Sequence, residues 1–140
     1  MNVQRMKLSE EGLRRFFGPL EAQIMEIVWS RGEVMIKEVQ SLLGEELSFN
    51  TVMTVLNRLS EKGHLKKNTI GKGRNRISTF HPVQSKEEFI QEQTRIVTTE
   101  LVHEYGEIVL NHLFDAVQQA DPSLRELLEA RIDEWKRDKP

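Results

Sequence analysis

The chain has 140 residues, of which 38% are hydrophobic and 30% are charged, a composition ordinary for a globular protein. That length accommodates one domain, or one small domain with an assembly element. The absence of cysteine excludes disulfides and thiolate metal sites, and it fits a reducing cytoplasm. No apolar stretch approaches the ~20 residues of a membrane-spanning helix and no signal-peptide pattern is present, so we expect neither membrane insertion nor secretion.

The net charge of −2 is unevenly distributed along the chain. Residues 1–82 contain 13 Lys and Arg against 9 Asp and Glu, a net charge of +4. Residues 83–140 contain 7 against 13, a net charge of −6. Only the first part has the electrostatics to approach phosphates, so we expect the acidic second part to serve another purpose.

The chain begins with a short charged segment, residues 1–17, which we interpret as an N-terminal arm. A first helix opens at Gly18-Pro19, because proline suits the first helical position. Its apolar stripe consists of Leu20, Ile24, Ile27 and Val28. A second helix is predicted over about residues 35–43 and stops at Gly44, with an apolar face formed by Ile36, Val39, Leu42 and Leu43.

The third predicted helix, residues 48–62, is amphipathic. Its apolar residues recur at the i, i+3, i+4, i+7 spacing of one helix face, namely Val52, Val55, Leu56 and Leu59. Ser48 suits the N-cap, and Gly63 suits a left-handed residue just past the end. With that stripe buried, the side chains that face outward are Asn50, Thr51, Thr54, Asn57 and Arg58. Such groups can hydrogen-bond base edges in a DNA major groove.

A basic hairpin follows this helix. Two β-compatible runs, residues 64–69 and 76–80, flank the turn at 71–74. Between Arg58 and Arg76 there are seven Lys or Arg against one acidic residue. The hairpin cations predicted to contact DNA are Lys66, Lys67, Lys72, Arg74 and Arg76. An amphipathic helix or a basic run alone is commonly a solvated face. Together, three helices and a cationic hairpin predict a winged helix-turn-helix over residues 18–82.

Beyond Pro82 the pattern is helical, so the whole fold is predicted to be mainly α. We predict helices over about residues 86–102 and 108–119, and a last helix that opens at Asp121-Pro122. Three helices of this size bury too little surface to be comfortably stable alone. We therefore interpret residues 83–140 as a dimerisation domain, with packing against the N-terminal domain as the alternative. The predicted interface residues are Leu101, Val109, Leu113, Leu124, Leu128 and Trp135.

The sequence shows no constellation typical of an enzyme. No pair of the four histidines, His64, His81, His103 and His112, has the i, i+4 spacing of metal ligands. There is no P-loop, dinucleotide fingerprint or nucleophile elbow. We therefore predict no catalytic residue, no metal site and no cofactor, and we interpret His112 as a packed or interfacial side chain.

Three segments resemble the penicillinase repressor family of bacterial winged-helix transcriptional regulators. Residues 18–29 are similar to the opening of that family, residues 50–63 to its recognition helix, and residues 73–82 to its wing. The resemblance implies a dimeric repressor in which each N-terminal domain reads one half of a palindromic operator and the C-terminal helices form the dimer. It places Asn50, Thr51, Thr54 and Arg58 on the reading face, and Arg74 or Arg76 at the wing contact.

The chain lacks the residues through which two branches of the family respond to their signals. The copper-responsive branch senses metal through C-terminal cysteines, which are absent here. The β-lactam-responsive branch is inactivated by proteolysis at an Asn-Phe bond in the first dimerisation helix. The corresponding residues 97–101 lack that pair, which leaves induction by cleavage, and a sensor-protease as partner, open.

The sequence thus predicts a cytoplasmic, sequence-specific DNA-binding repressor that acts as a dimer on a palindromic operator in double-stranded DNA. Two alternatives stand beside it. A winged helix can serve as a protein–protein interaction module, in which case the reading face would be incidental. A regulator that senses a small molecule would need a ligand pocket in the helical tail, and nothing in the sequence marks one.

Overall fold

The computed structural model describes residues 6–44 and 46–139. Parts of the predicted arm (residues 1–5), of the second interhelical turn (residue 45) and of the tail (residue 140) lie outside the described residues. The described helices are α1 (Pro19–Arg31), α2 (Ile36–Leu43), α3 (Phe49–Glu61), α4 (Lys86–Tyr105), α5 (Glu107–Gln119) and α6 (Pro122–Asp138). The described strands are β1 (Val34–Met35), β2 (Leu65–Ile70) and β3 (Ile77–Pro82).

The three strands form one antiparallel sheet with β3 in the centre. The β2–β3 hairpin is the wing, in register from Leu65 opposite Pro82 to Ile70 opposite Ile77. The predicted mainly helical, winged fold is confirmed. The sequence does not predict β1, since a strand of two residues is too short to show an alternating pattern. It forms because Val34 pairs with Phe80 on β3, and both side chains are buried.

Capping residues, a proline and a glycine define the helix ends close to the positions that the sequence predicts. Pro19 occupies the first turn of α1, and the Ser48 hydroxyl accepts a hydrogen bond from the Thr51 N–H at 3.1 Å to cap α3. Gly63 follows α3 with φ of 88°, a backbone conformation that favours glycine. Ser85 and Glu88 exchange 3.0 Å hydrogen bonds as a capping box that begins α4.

An aromatic cluster, defined as Phe16, Phe17, Trp29, His64 and Phe89, joins four parts of the chain. The ring of Phe89, on α4, stacks on Phe17 at 5.2 Å between centroids and meets the edges of Phe16 and His64. The indole N–H of Trp29 donates to the Gln84 carbonyl at 2.9 Å. These contacts hold the first turns of α4 against the hydrophobic core formed by α1, α2, α3 and the sheet.

The segment that precedes α1 is packed on this core. A 3₁₀ turn, Gly12–Arg15, carries Leu13 inward, and Phe16 and Phe17 complete the contact with buried side chains. The chain divides by contacts into two compact units, Met1–Gln93 and Thr94–Pro140. That division falls within α4, whereas the sequence predicts a domain boundary after Pro82.

The second unit consists of the rest of α4 with α5 and α6. No side chain among its described residues, 94–139, is buried. Large apolar side chains exposed on it include Leu101, Tyr105, Ile108, Leu110, Leu113, Phe114, Leu124, Leu127 and Trp135. The first unit therefore has a hydrophobic core, whereas the second exposes its apolar faces.

The Phe89→Ala variant tests the aromatic cluster. Removing a fully buried ring leaves a cavity, so we expect the free energy of unfolding to fall by about 3–5 kcal/mol. Phe49→Ala is the matched control, because that ring is 39% exposed, and we expect it to cost about 1 kcal/mol or less. Urea unfolding followed by tryptophan fluorescence measures both. Equal losses in the two variants would contradict the role of the cluster.

Candidate nucleic-acid interface

Burial of one face fixes the rotation of α3 about its axis. Val52, Leu56 and Leu59 are fully buried, and Val55 is nearly so. Because of this, Asn50, Thr51, Thr54 and Arg58 are exposed, while Asn57 is half-buried. The structure places these five predicted residues on the outer side of α3, in a row long enough to lie along a major groove.

Two hydroxyls on this face have defined hydrogen-bond roles. The Thr54 hydroxyl donates to the Asn50 carbonyl oxygen at 2.8 Å. Its proton is thus committed to the backbone, which leaves the hydroxyl oxygen able to accept and the methyl group able to make apolar contact. The Thr51 hydroxyl lies 2.9 Å from that of Ser48, so it belongs to the cap of α3. Thr54 is the freer of the two threonines to meet a base.

The predicted wing residue Lys67 turns back toward α3. Its ammonium donates to Oδ1 of Asn57 at 3.0 Å and lies 5.8 Å from the centre of the Phe80 ring. This bond fixes the Asn57 amide so that its NH₂ group can donate elsewhere. Lys67 therefore acts on the reading face through Asn57, a contact that the sequence analysis did not foresee.

The tip of the wing depends on a glycine. Gly71 has φ of 89°, and a Cβ at this position would lie 2.5 Å from the Asn75 carbonyl oxygen. Any other residue would have to move the backbone of the turn. The turn continues through a 3₁₀ segment, Gly73–Asn75, which presents Lys72 and Arg74 to solvent.

The cations of this surface are electrostatically unneutralised. Within the described part of the chain, no ion pair or hydrogen bond involves the side chains of Arg58, Lys66, Lys72, Arg74 or Arg76. By contrast, Lys62 pairs with Glu21 at 3.1 Å and Lys86 with Glu26 at 2.6 Å, away from the wing. Residues 64–82 of the wing contain five Lys or Arg and no Asp or Glu, so positive charge is concentrated there, where phosphates would be attracted.

His64 lies at the base of the wing, in the aromatic cluster. Burial and the neighbouring charge of Lys62 lower its pKa below the ordinary value of 6.5, and Glu21 opposes them. Its Nε2 is buried and has no hydrogen-bond partner among the described residues. Burial also raises the pKa of Glu21, but bonds from the Gly18 N–H and Lys62 outweigh that and lower it below 4.5.

The predicted dimer residues lie in the second unit. Leu101, Leu113, Leu124 and Trp135 are exposed, and Val109 and Leu128 are partly exposed. No helix in the described part of the chain is both long and apolar enough to span a membrane. The same residues include no group of three His, Asp or Glu placed to hold a metal ion.

Comparison with known families agrees with this geometry. The profile described as penicillinase repressor matches residues 17–134, which extend over most of the chain. The chain belongs to the penicillinase repressor family. This is a family of DNA-binding transcriptional repressors and not of enzymes. A search of curated proteins gives no match.

The sequence does not predict the groove beside α3. Met35, Lys37, Phe49 and Met53 approach the wing residues Arg74, Arg76 and Ile77 there. Lys37 and Met35 carry no local sequence signal for this position, because only the pairing of β1 with β3 brings them to the wing.

The pKa of His64 predicts how stability depends on pH. Because the folded state binds the His64 proton less readily than the unfolded state, the free energy of unfolding should fall as pH drops below 6.5 and level off below the lowered pKa. Glu21 contributes only below 4.5, so measurements between pH 6.5 and 5 separate the two.

Urea unfolding of His64→Phe over this range measures the effect. We expect a shallower pH dependence than in the unmodified chain, because phenylalanine does not titrate. The exposed His103, changed to Phe, is the control and should leave the dependence unaltered. If His64→Phe and the unmodified chain lost stability in parallel, the account of His64 would be wrong.

Proposed function

We propose that this member of the penicillinase repressor family represses transcription in the cytoplasm by binding, as a homodimer, a palindromic operator in double-stranded DNA. One observation carries the proposal: the polar outer face of α3 lies beside a wing, residues 64–82, that carries five Lys or Arg and no Asp or Glu. The alternative of a protein–protein interaction module has no comparable support, since it does not require unneutralised cations at the wing.

Sequence reading is assigned to Asn50, Thr51, Thr54, Asn57 and Arg58 on α3. Side chains that offer amide, hydroxyl and guanidinium groups can distinguish base pairs in the major groove. The wing residues Lys66, Lys72, Arg74 and Arg76 are assigned to phosphates, and Lys67 to holding Asn57. This division follows the general rule that phosphate contacts position a protein and base contacts specify the sequence.

Dimerisation is assigned to the second unit. Its described residues expose large apolar side chains and none is buried, so a second copy would supply the missing cover. A dimer with twofold symmetry matches a palindromic operator, because each of its two winged helices can bind one of the two symmetry-related half-sites. The second contact then becomes effectively intramolecular, which increases discrimination against the many competing genomic sites.

A sensor-protease as a further partner rests on the family alone. The segment at residues 97–101 is helical within α4, and it includes the exposed residues Thr98, Thr99, Glu100 and Leu101. We propose cleavage there only by analogy with the β-lactam-responsive branch of the family, and this chain lacks that branch's Asn-Phe pair in the segment.

Replacing Lys72 and Arg74 together with Ala tests the wing. If each contacts one phosphate, the slope of log K against log salt should become shallower by about 1.8, and affinity should fall for all duplex sequences. The control is Lys136→Ala with Arg137→Ala, two cations at the end of α6. Fluorescence anisotropy at several salt concentrations measures the slopes. An unchanged slope in the wing variant would remove the wing from the interface.

Thr54→Ala and Arg58→Ala, made separately, test the reading face. An operator is first selected from a random duplex library with the unmodified chain. Each variant should lose roughly 1–3 kcal/mol on that operator, concentrated at one base pair of each half-site, while random duplex is bound nearly as before. Thr98→Ala and Arg95→Ala, both exposed on α4, are the controls. An equal loss on random DNA would assign these residues to phosphates instead.

Sedimentation of the full chain tests the dimer. We expect the molar mass of a dimer at micromolar concentration, because the second unit of a single chain leaves its apolar faces exposed. Leu113→Glu with Leu124→Glu should shift it to a monomer, since a charge cannot be buried unpaired in an apolar interface. Ile70→Glu, an exposed wing position, is the control and should remain dimeric. A monomeric unmodified chain would contradict the dimer.

A further inference from the structure

A groove with an apolar floor runs between α2, α3 and the wing. Its volume is about 510 Å³. The floor is formed by Met35, Phe49, Met53 and Ile77, and the rim carries Lys37, Arg74 and Arg76. Among the residues that the structure describes, no Asp or Glu lines it. Three of the floor side chains are substantially exposed in the described chain: Met35 at 47%, Phe49 at 39% and Ile77 at 52%.

Phosphate binding explains the cations of the rim but not the apolar floor. A surface made only to hold a polyanion has no use for exposed Phe and Met side chains, which remain unfavourably hydrated until something apolar covers them. An apolar floor with three cations at its rim fits a ligand that places an apolar group on the floor and negative charges beside the rim. A DNA strand that presents a methyl group has that character.

The position of Met53 on α3 indicates which part of DNA it meets. Phe49 and Met53 are four residues apart and form one column of the helix, beside the column of Asn50 and Thr54. Met53 is therefore the apolar neighbour of the groups assigned to base edges. Among base edges in the major groove, only thymine presents a methyl group.

We propose that Met53, supported by Phe49, recognises one thymine in each operator half-site through its C5-methyl group. The proposal rests on the proposed function, since it needs α3 in a major groove. It adds a readout that hydrogen bonding does not provide. The thymine lies next to the base pair read by Thr54, because Met53 and Thr54 are consecutive on adjacent columns of the outer face.

The experiment replaces single thymines of the selected operator with deoxyuridine, which lacks only the C5-methyl group. Anisotropy measures the affinity of the full-length chain, of Met53→Ala and of Phe49→Ala for each duplex. The control is Leu42→Ala, which is 47% exposed on α2 and does not line the groove. Thermal unfolding checks that each variant is folded. Phe49→Ala keeps the test decisive if Met53→Ala is unstable.

We expect one thymine per half-site at which deoxyuridine weakens binding of the unmodified chain about fourfold, the factor that burial of one methyl group supplies. Leu42→Ala should show the same penalty. Met53→Ala should bind the thymine operator more weakly and show no further loss on deoxyuridine, so that the two changes are not additive.

Two results would overturn this inference while the proposed function stands. The first is specific binding with no deoxyuridine penalty at any position. If salicylate, an amphipathic organic anion used as a probe, then displaces DNA from the unmodified chain but not from Met53→Ala, the groove is a small-molecule site. The second is a penalty that persists in both Met53→Ala and Phe49→Ala. Failure to select any operator would instead overturn the proposed function itself.

Discussion

The functional surface depends on the burial of one side of α3. Val52, Leu56 and Leu59 are fully enclosed by the core, and a rotation of the helix by one residue would expose part of this stripe. The cost of exposing a large aliphatic side chain, about 1.5–3 kcal/mol, holds the helix in one rotation. The outward direction of Asn50 and Thr54 is therefore a consequence of core packing.

The wing is fixed to the same core from the other side. β3 pairs with both β1 and β2, and its buried Phe80 lies opposite Val34 in one ladder and Lys67 in the other. Lys67 in turn holds Asn57 on α3. The hairpin is thus joined to α3 by a hydrogen bond at the surface and to the core by apolar packing beneath the sheet. The cationic tip of the wing projects from this packed base.

The fold was largely predictable because its signals are local. The stripe of α3, its Ser48 cap and the turn around Gly71 each occupy a few consecutive residues, and the predicted helix 48–62 agrees closely with Phe49–Glu61. What the sequence could not show depends on distant partners. β1 exists through Phe80, and Phe16 and Phe17 become core residues because they meet Phe89 on α4.

The same distinction separates the two parts of the candidate interface. The outward residues of α3 and the cations of the hairpin follow from helical period and charge, so they were predictable. The Lys67–Asn57 bond and the groove that joins Met35 to Arg76 arise from sheet pairing, which no local pattern encodes. The predicted dimer residues follow from apolar periodicity, and their exposure in the single chain supports the proposal that a second copy covers them.

Lysine labelling of the full chain, with and without its selected operator, tests the central claim most directly. An amine-reactive reagent and mass spectrometry give the labelling rate of each lysine. The account predicts that Lys66 and Lys72 become protected by operator DNA, while Lys136 and Lys139 at the end of the tail label at unchanged rates. Protection of the tail lysines with the wing lysines left fully reactive would contradict the assignment of α3 and the wing as the DNA-binding surface.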